Sequence, residues 1–194
     1  MAKDEMLANA AEYNNRGIEF FNQGELNKAI ADFDQALRLD HNNAAAYYNR
    51  GNVHIKKGNF AHAFADFDQA IRLDPTDAAA YCNRGYLNYH KDNFNCAIDD
   101  LSQAIRLNPN YATAYLNRGL VYRDKDEKER AIADFDQAIR LDSNDATMYF
   151  IRGAMHIEKK DWEQAIADFE TALRLDPSHP QARQFLELVR EAHD

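Results

Sequence analysis

The side chains that most often catalyse reactions or bind metals are few in this chain, and their spacing suits neither role. The seven histidines form no HExxH motif and no Cys/His ligand set. They are His41, His54, His62, His90, His156, His179 and His193. The two cysteines, Cys82 and Cys96, have no CxxC partner and are expected to be free thiols. A cysteine nucleophile needs a nearby base, and no spacing places His90 beside Cys82. We therefore expect no catalytic residues, no metal site and no cofactor.

A more regular chemical signal is the tripeptide Asn-Arg-Gly, which recurs with its glycines 34 residues apart. Its asparagines, here called the asparagine row, are Asn15, Asn49, Asn83 and Asn117, and Ile151 takes the fifth place. A side-chain amide offers one acceptor and two N–H donors, so it can pair with a peptide unit of another chain. Alternatively, each amide could bind helix backbone or a neighbouring repeat. The sequence leaves both possibilities open.

The arginine of each tripeptide is followed sixteen residues later by an aspartate. The five pairs are Arg16 with Asp32, Arg50 with Asp66, Arg84 with Asp100, Arg118 with Asp134, and Arg152 with Asp168. In a helical hairpin this spacing predicts one residue on each helix at a similar height, joined as a structural ion pair. A row of arginines for an acidic ligand is the alternative, disfavoured because a matched carboxylate leaves little charge for a ligand. A second set, spaced i,i+4, is expected to form exposed surface pairs: Asp34 with Arg38, Asp68 with Arg72, and Asp136 with Arg140.

Helices must position these residues. The chain has 194 residues, 45% of them hydrophobic and 28% charged, with only 7 glycines and 4 prolines, a composition typical of helices. A second block, AIADFDQALRLD and its variants, begins at Ala29 and recurs with the same 34-residue period. With each tripeptide glycine at repeat position 8, the repeats span 10–43, 44–77, 78–111, 112–145 and 146–179. Residues 1–9 are expected to extend the first helix, and residues 180–194 to form a capping helix that begins at Pro180.

The repeat closely resembles the tetratricopeptide repeat (TPR). Position 4 is Tyr in every repeat, from Tyr13 to Tyr149, and position 8 is Gly. Positions 20 and 27 are Ala, and position 24 is Phe or Leu. Small residues at 8, 20 and 27 let two helices approach closely while the large residues fill the space beside them. The resemblance implies an all-α fold, a right-handed α-solenoid of stacked helix-turn-helix hairpins.

The resemblance also implies a binding groove along the concave face, with ligand contacts at repeat positions 2, 5, 6, 9, 12 and 13. The asparagine row falls at position 6 and resembles that of the TPR domain of O-GlcNAc transferase, where such residues hold an extended peptide. The predicted groove residues are Asn15, Asn49, Asn83, Asn117, Tyr48, Asn52, Tyr86, Tyr89 and Arg123. Tyr86 could equally pack against a neighbouring helix, and Cys82 is expected to face the groove.

A TPR subclass grips the C-terminal carboxylate of heat-shock chaperones with lysines, an arginine and asparagines. The corresponding positions here are Tyr48, Asn52, Asn83, Thr113 and Asn117. The asparagines match, but every cation is missing. Binding of a chaperone C-terminal tail is therefore disfavoured.

Charge and hydropathy narrow the partner class. The net charge of −9 disfavours nucleic acid and anionic membranes, and no apolar run suffices to span a bilayer. The first residues contain no apolar core of a signal peptide, so a cytoplasmic location is expected. The leading hypothesis is a non-catalytic scaffold that binds an extended peptide segment of a partner protein. The runner-up is a structural or self-assembling solenoid, natural or consensus-like, that forms homo-oligomers through its end faces. An enzyme is a distant third.

Overall fold

The computed structural model describes residues 2–193, which form eleven α-helices and no β-strand. The helices are α1 (Ala2–Asn22), α2 (Leu26–Leu39), α3 (Ala44–Lys56), α4 (Phe60–Leu73), α5 (Ala78–Tyr89), α6 (Phe94–Leu107), α7 (Ala112–Asp124), α8 (Lys128–Leu141), α9 (Ala146–Glu158), α10 (Trp162–Leu175) and α11 (Pro180–His193). The prediction of an all-α fold built from helical hairpins is confirmed. Met1 and Asp194, the ends of the predicted leader and tail, lie outside the described residues.

The chain divides into two compact units, residues 1–91 and 92–194. Unit 1 contains α1 to α5, with the hairpins α1/α2 and α3/α4 followed by α5. Unit 2 contains α6 to α11, with the hairpins α7/α8 and α9/α10 preceded by α6. The division falls inside the third predicted repeat, between its two helices.

Turns between helices depend on side-chain caps and on left-handed backbone. Asn43 and Asp77 cap α3 and α5 by accepting hydrogen bonds from backbone N–H groups of the first turn. The turns inside the first two hairpins contain Gly24 and Gly58, with φ of 79° and 73°. Glycine adopts this conformation without the steric penalty of a Cβ atom, which suits it to the turns that follow α1 and α3.

Close approach of the two helices in each hairpin depends on the glycine at position 8. Phe33, Phe67, Phe135 and Phe169, at position 24, have no exposed side-chain surface. A Cβ atom built on Gly51 or Gly119 would lie only 2.8 or 2.6 Å from the ring of the facing phenylalanine. The glycine and the aromatic ring therefore form one packing unit.

Successive repeats pack through apolar residues at positions 3 and 10 of each first helix. In unit 1, two residues of α3 pack against α2. Ala46 contacts Ala36 and Leu37, and Val53 contacts Ala29 and Phe33. In unit 2, α9 packs on α8 through the equivalent Met148 and Met155. Leu186 and Val189 of α11 pack against Ala165 and Phe169 of α10, and the role of α11 as a cap remains a prediction.

Candidate functional site

Within each unit, the arginines at repeat position 7 form bidentate ion pairs with the aspartates sixteen residues later. In unit 1, Arg50 donates from Nε and Nη2 to Asp66 at 3.0 and 2.7 Å. In unit 2, Arg152 donates in the same way to Asp168 at 2.8 and 2.6 Å. The same geometry joins Arg16 to Asp32 and Arg118 to Asp134. The aspartates are buried, so these pairs hold the two helices of a hairpin together.

Each of these arginines except Arg16 also has a partner in the preceding repeat, which the sequence analysis missed. Arg50 Nη1 donates to Asp34 at 2.5 Å. Arg84, Arg118 and Arg152 donate equivalently to Asp68, Ser102 and Asp136. The signal was present in the sequence, because each partner lies sixteen residues before its arginine. One guanidinium therefore joins three helices.

The predicted i,i+4 surface set is wrong for two of its three pairs. Arg72 contacts Asp68 at 2.7 Å as predicted. Arg38 and Arg140 instead donate to Gln35 and Gln137. Asp34 and Asp136 instead accept a hydrogen bond from the position 7 arginine of the next repeat. This guanidinium is less exposed to water than Arg38 or Arg140, so its interaction with a carboxylate is stronger.

The electrostatic environment agrees with a structural role for these arginines. The hydrogen bond to Asp168 raises the pKa of Arg152, and its second partner, Asp136, raises it further. Each position 7 guanidinium also lies over the position 4 tyrosine of its own repeat, 5.0 to 5.8 Å from the ring centroid. Arg84 and Asp100 belong to different units, so their pairing remains a prediction.

The asparagine row makes side-chain bonds between neighbouring helices of unit 1. Asn49 of α3 donates to Asn14 of α1 at 3.1 Å, and Asn83 of α5 donates to Asn52 of α3 at 2.8 Å. These bonds use one N–H of each amide. The oxygens of Asn49 and Asn83 accept no hydrogen bond from the residues that the structure describes. Asn49 and Asn83 therefore do bind a neighbouring repeat, as one of the two interpretations proposed. The oxygen and the second N–H of each amide remain available to a ligand.

The remaining members of the row occupy different environments. Asn15, on α1, is exposed, and Asn117, on α7 of unit 2, is half-buried. In unit 2, Arg123 donates to the adjacent Asp124 at 2.8 Å.

The predicted groove tyrosines of unit 1 divide into a packed residue and a partly exposed pair. Tyr48 tilts against Phe67, with ring centroids 5.8 Å apart, and contributes to the core between α3 and its neighbours. Tyr86 and Tyr89 are half-buried, and both contact the ring of His90, at 4.3 and 5.4 Å between centroids.

The prediction that Cys82 faces the groove is wrong. Its side chain is only 1% exposed, and the exposed thiol is Cys96 of unit 2. A cysteine packs as a small hydrophobe, and the larger side chains at position 5, Tyr48, Leu116 and Phe150, also pack against core residues.

His54 is a half-buried titratable group of unit 1. It stacks on His62, with ring centroids 5.1 Å apart, and its Nε2 lies 3.9 Å from Asp66 Oδ2. Burial lowers the pKa of His54 below 6.5, and although Asp66 opposes this effect, His62, Arg50 and Lys57 add to it. These surroundings therefore favour the neutral form of His54 in the folded chain.

We expect the folded chain to lose stability as the pH is lowered, and we expect part of this loss to depend on His54. Because the unfolded chain binds a proton at this residue more readily, stability falls as the pH decreases through 6.5 towards the lower folded pKa. His54→Tyr, which copies Tyr122 at the same position of the fourth repeat, should reduce this loss. Thermal melts of both chains at about pH 7.5 and about pH 5.5 measure it, and equal decreases in Tm would contradict the assignment.

No group of histidine, cysteine, aspartate or glutamate side chains in the described part of the chain could hold a metal ion. Among residues 2–193, no helix has the length and apolar character needed to cross a membrane.

Comparisons with known proteins agree on one type of repeat. A family model described as TPR repeat matches residues 17–58 and 89–126. Two models described as tetratricopeptide repeat match residues 44–77 and 127–180. No curated protein sequence matches the chain.

Several solved structures resemble it. The crystal structure of MamA protein is 28% identical, with a TM-score of 0.76 over 89% of this chain and 94% of that one. YrrB, described as a TPR protein with an unusual peptide-binding site, is 26% identical, with a TM-score of 0.73 over 89% of each chain. MamA from Desulfovibrio magneticus RS-1 is 23% identical, with a TM-score of 0.78 over 89% of this chain and 97% of that one, and shows the fold alone.

Proposed function

Since the chain belongs to the tetratricopeptide repeat family, a family of generally non-catalytic scaffolds, we propose that it binds an extended peptide segment of a partner protein. The observation that carries this proposal is the row of amides across α1, α3 and α5. Asn49 and Asn83 each donate one N–H to a side chain of the neighbouring helix. The oxygen and the second N–H of each amide remain available to a ligand.

An amide fixed in this way is suited to hold a peptide backbone. Its orientation is set before the ligand arrives, because the bond to Asn14 or Asn52 restricts the side-chain rotamers. Binding then costs less side-chain entropy than with a mobile amide. Amide contacts to the backbone give affinity for many sequences, so selectivity must come from the residues beside the row.

The arginines are poor candidates for ligand contacts. The guanidinium groups of Arg50 and Arg152 each bind two carboxylates. That of Arg118 binds one carboxylate and the hydroxyl group of Ser102. The peptide-binding description of YrrB supports the leading hypothesis at the level of the family.

Self-assembly through the end faces has weaker support. Position 3 is apolar in the later repeats, where it packs on the preceding one, but it is Glu12 in the first repeat. Position 10 is likewise Glu19. A second copy stacked on this face would bury two carboxylates, which is costly unless each is paired. Light scattering at several concentrations would show whether the chain is a monomer.

The test of the proposed function is the Asn49→Ala/Asn83→Ala chain. We expect it to bind a peptide selected on the wild-type chain at least about 10-fold more weakly, about 1.4 kcal/mol, because the backbone loses two amide partners. Loss of the two inter-helix bonds should lower the unfolding free energy by about 1–3 kcal/mol. Isothermal titration and denaturant melts measure the two effects.

Asn14→Ala is the matched control. It removes the acceptor of the Asn49 bond but leaves the asparagine row intact, so stability should fall by about 1 kcal/mol. Unchanged affinity in the double variant, with a loss of stability, would show that the amides only join repeats.

A further inference from the structure

Two parallel stripes of side chains lie on the face that carries the asparagine row in unit 1. On α3 the stripe is Asn49, Asn52 and Lys56, and on α5 with its C-cap residue it is Asn83, Tyr86 and His90. The spacing i, i+3, i+7 places each set along one side of its helix. The hydrogen bond from Asn83 to Asn52 joins the two stripes. Lys56 and His90 therefore end neighbouring stripes on the same face.

The end of the α5 stripe is an exposed aromatic patch, formed by Phe60, Tyr86, Tyr89 and His90. His90 lies parallel to Phe60 with ring centroids 6.3 Å apart, and it contacts both tyrosines. Phe60 is 42% exposed. Exposed rings grouped in this way are typical of surfaces that bind an apolar or aromatic side chain.

Three lysines follow the two stripes closely in the sequence or end them, although the whole chain carries −9. Helices α3 and α5 contain no aspartate or glutamate. Lys56, Lys57 and Lys91 form no ion pair with a residue that the structure describes, whereas every position 7 arginine of known geometry does. The ammonium of Lys91 lies 4.5 Å from the centre of the Phe64 ring, one turn after Phe60. Lys91 follows His90 directly in the sequence, and Lys56, whose ammonium lies 5.2 Å from the centre of the Phe21 ring of α1, ends the neighbouring stripe.

We propose that the segment bound by unit 1 carries an acidic residue close in sequence to an aromatic residue. This inference rests on the proposed function. The acidic side chain pairs with Lys56, and the aromatic ring packs on the patch. Packed helices lie about 8–10 Å apart, and an extended chain advances about 3.3 Å per residue. The two ligand residues are therefore two to four positions apart.

The experiment is selection from a random 12-residue peptide library, with both peptide ends blocked, on the full chain and on two variants. The wild-type chain should enrich peptides with Glu or Asp two to four residues from Trp, Tyr or Phe. Lys56→Glu should exchange the acidic preference for Lys or Arg. Phe60→Ala should reduce the aromatic preference. Lys160→Glu, the same charge change at an exposed lysine of unit 2, is the control and should retain the wild-type preference.

A selected peptide with its acidic residue replaced by lysine should bind the wild-type chain about threefold to fivefold more weakly, as expected of an exposed ion pair. Enriched peptides that need Asn49 and Asn83 but show no acidic or aromatic preference would overturn this inference alone. A chain that selects no peptide, or whose peptides bind equally well without the asparagines, would overturn the proposed function as well.

Discussion

Replacing Arg50 by alanine is expected to lower the free energy of unfolding by about 2–4 kcal/mol. The substitution leaves the carboxylate of Asp66, a residue only 5% exposed, without its bidentate partner. It also removes the contact with Asp34 of the preceding repeat and the stacking on Tyr47. Urea melts of the wild-type and variant chains measure the loss.

The two carboxylates around Arg50 should contribute unequally. Asp66→Ala should cost about as much as Arg50→Ala, because the guanidinium then loses its buried bidentate partner and keeps only the more exposed Asp34. Asp34→Ser copies the arrangement at Arg118, where Ser102 takes this place, and should cost under about 1 kcal/mol. The Asp34 side chain is 39% exposed, so water can replace much of the interaction.

A double-mutant cycle separates the pair from general damage to the hairpin. The Arg50→Ala/Asp66→Ala chain should recover at least about 1 kcal/mol relative to the sum of the single variants. Strictly additive losses would mean that each side chain acts through packing alone. A large loss in Asp34→Ser, equal to that in Asp66→Ala, would contradict the proposed hierarchy.

The sequence predicted the hairpin pairs but not their extension to the preceding repeat. A spacing of sixteen residues identifies Asp66 for Arg50 because both belong to one hairpin, whose geometry the repeat pattern specifies. The contact with Asp34 depends on how two hairpins stack. The same spacing occurs in the sequence, but the shorter i,i+4 spacing to Arg38 offered a local partner that the structure does not use.

The asparagine row shows a similar division. Its register on the first helices follows from the 34-residue period. The bonds to Asn14 and Asn52 do not, because they depend on the distance between side chains of adjacent helices. Cys82 illustrates the same limit: the family pattern assigns position 5 to the groove, but the side chain is buried here.

The aromatic patch could not be predicted from repeat positions alone. Phe60 lies at position 17, outside the positions assigned to the groove, yet its ring stacks on His90 at position 13. The absence of acidic residues from α3 and α5 was visible in the sequence. Its meaning depends on knowing which carboxylates of α2 and α4 are already paired with arginines.

Replacing Gly119 by alanine is expected to destabilise unit 2, although alanine favours helices by about 1 kcal/mol over glycine. The new Cβ atom would lie 2.6 Å from the ring of Phe135, which has no exposed surface towards which it could move. Overpacking of this kind costs about 1–3 kcal/mol and should outweigh the gain in helix propensity. The net loss, measured by urea melts, should therefore reach up to about 2 kcal/mol.

Two further variants distinguish a clash from a backbone effect. Phe135→Leu copies the third repeat, where Leu101 takes the place of the ring, and should lessen the harm done by Gly119→Ala. Gly58→Ala, where no atom lies within 4 Å of the added Cβ, should cost about 1 kcal/mol through its φ of +73° alone. Phe135→Leu should give no relief there, because Gly58 and Phe135 lie in different units. If the Gly119→Ala loss is unchanged in the Phe135→Leu background, the glycine is not required by the ring, and a different contact sets the approach of the two helices.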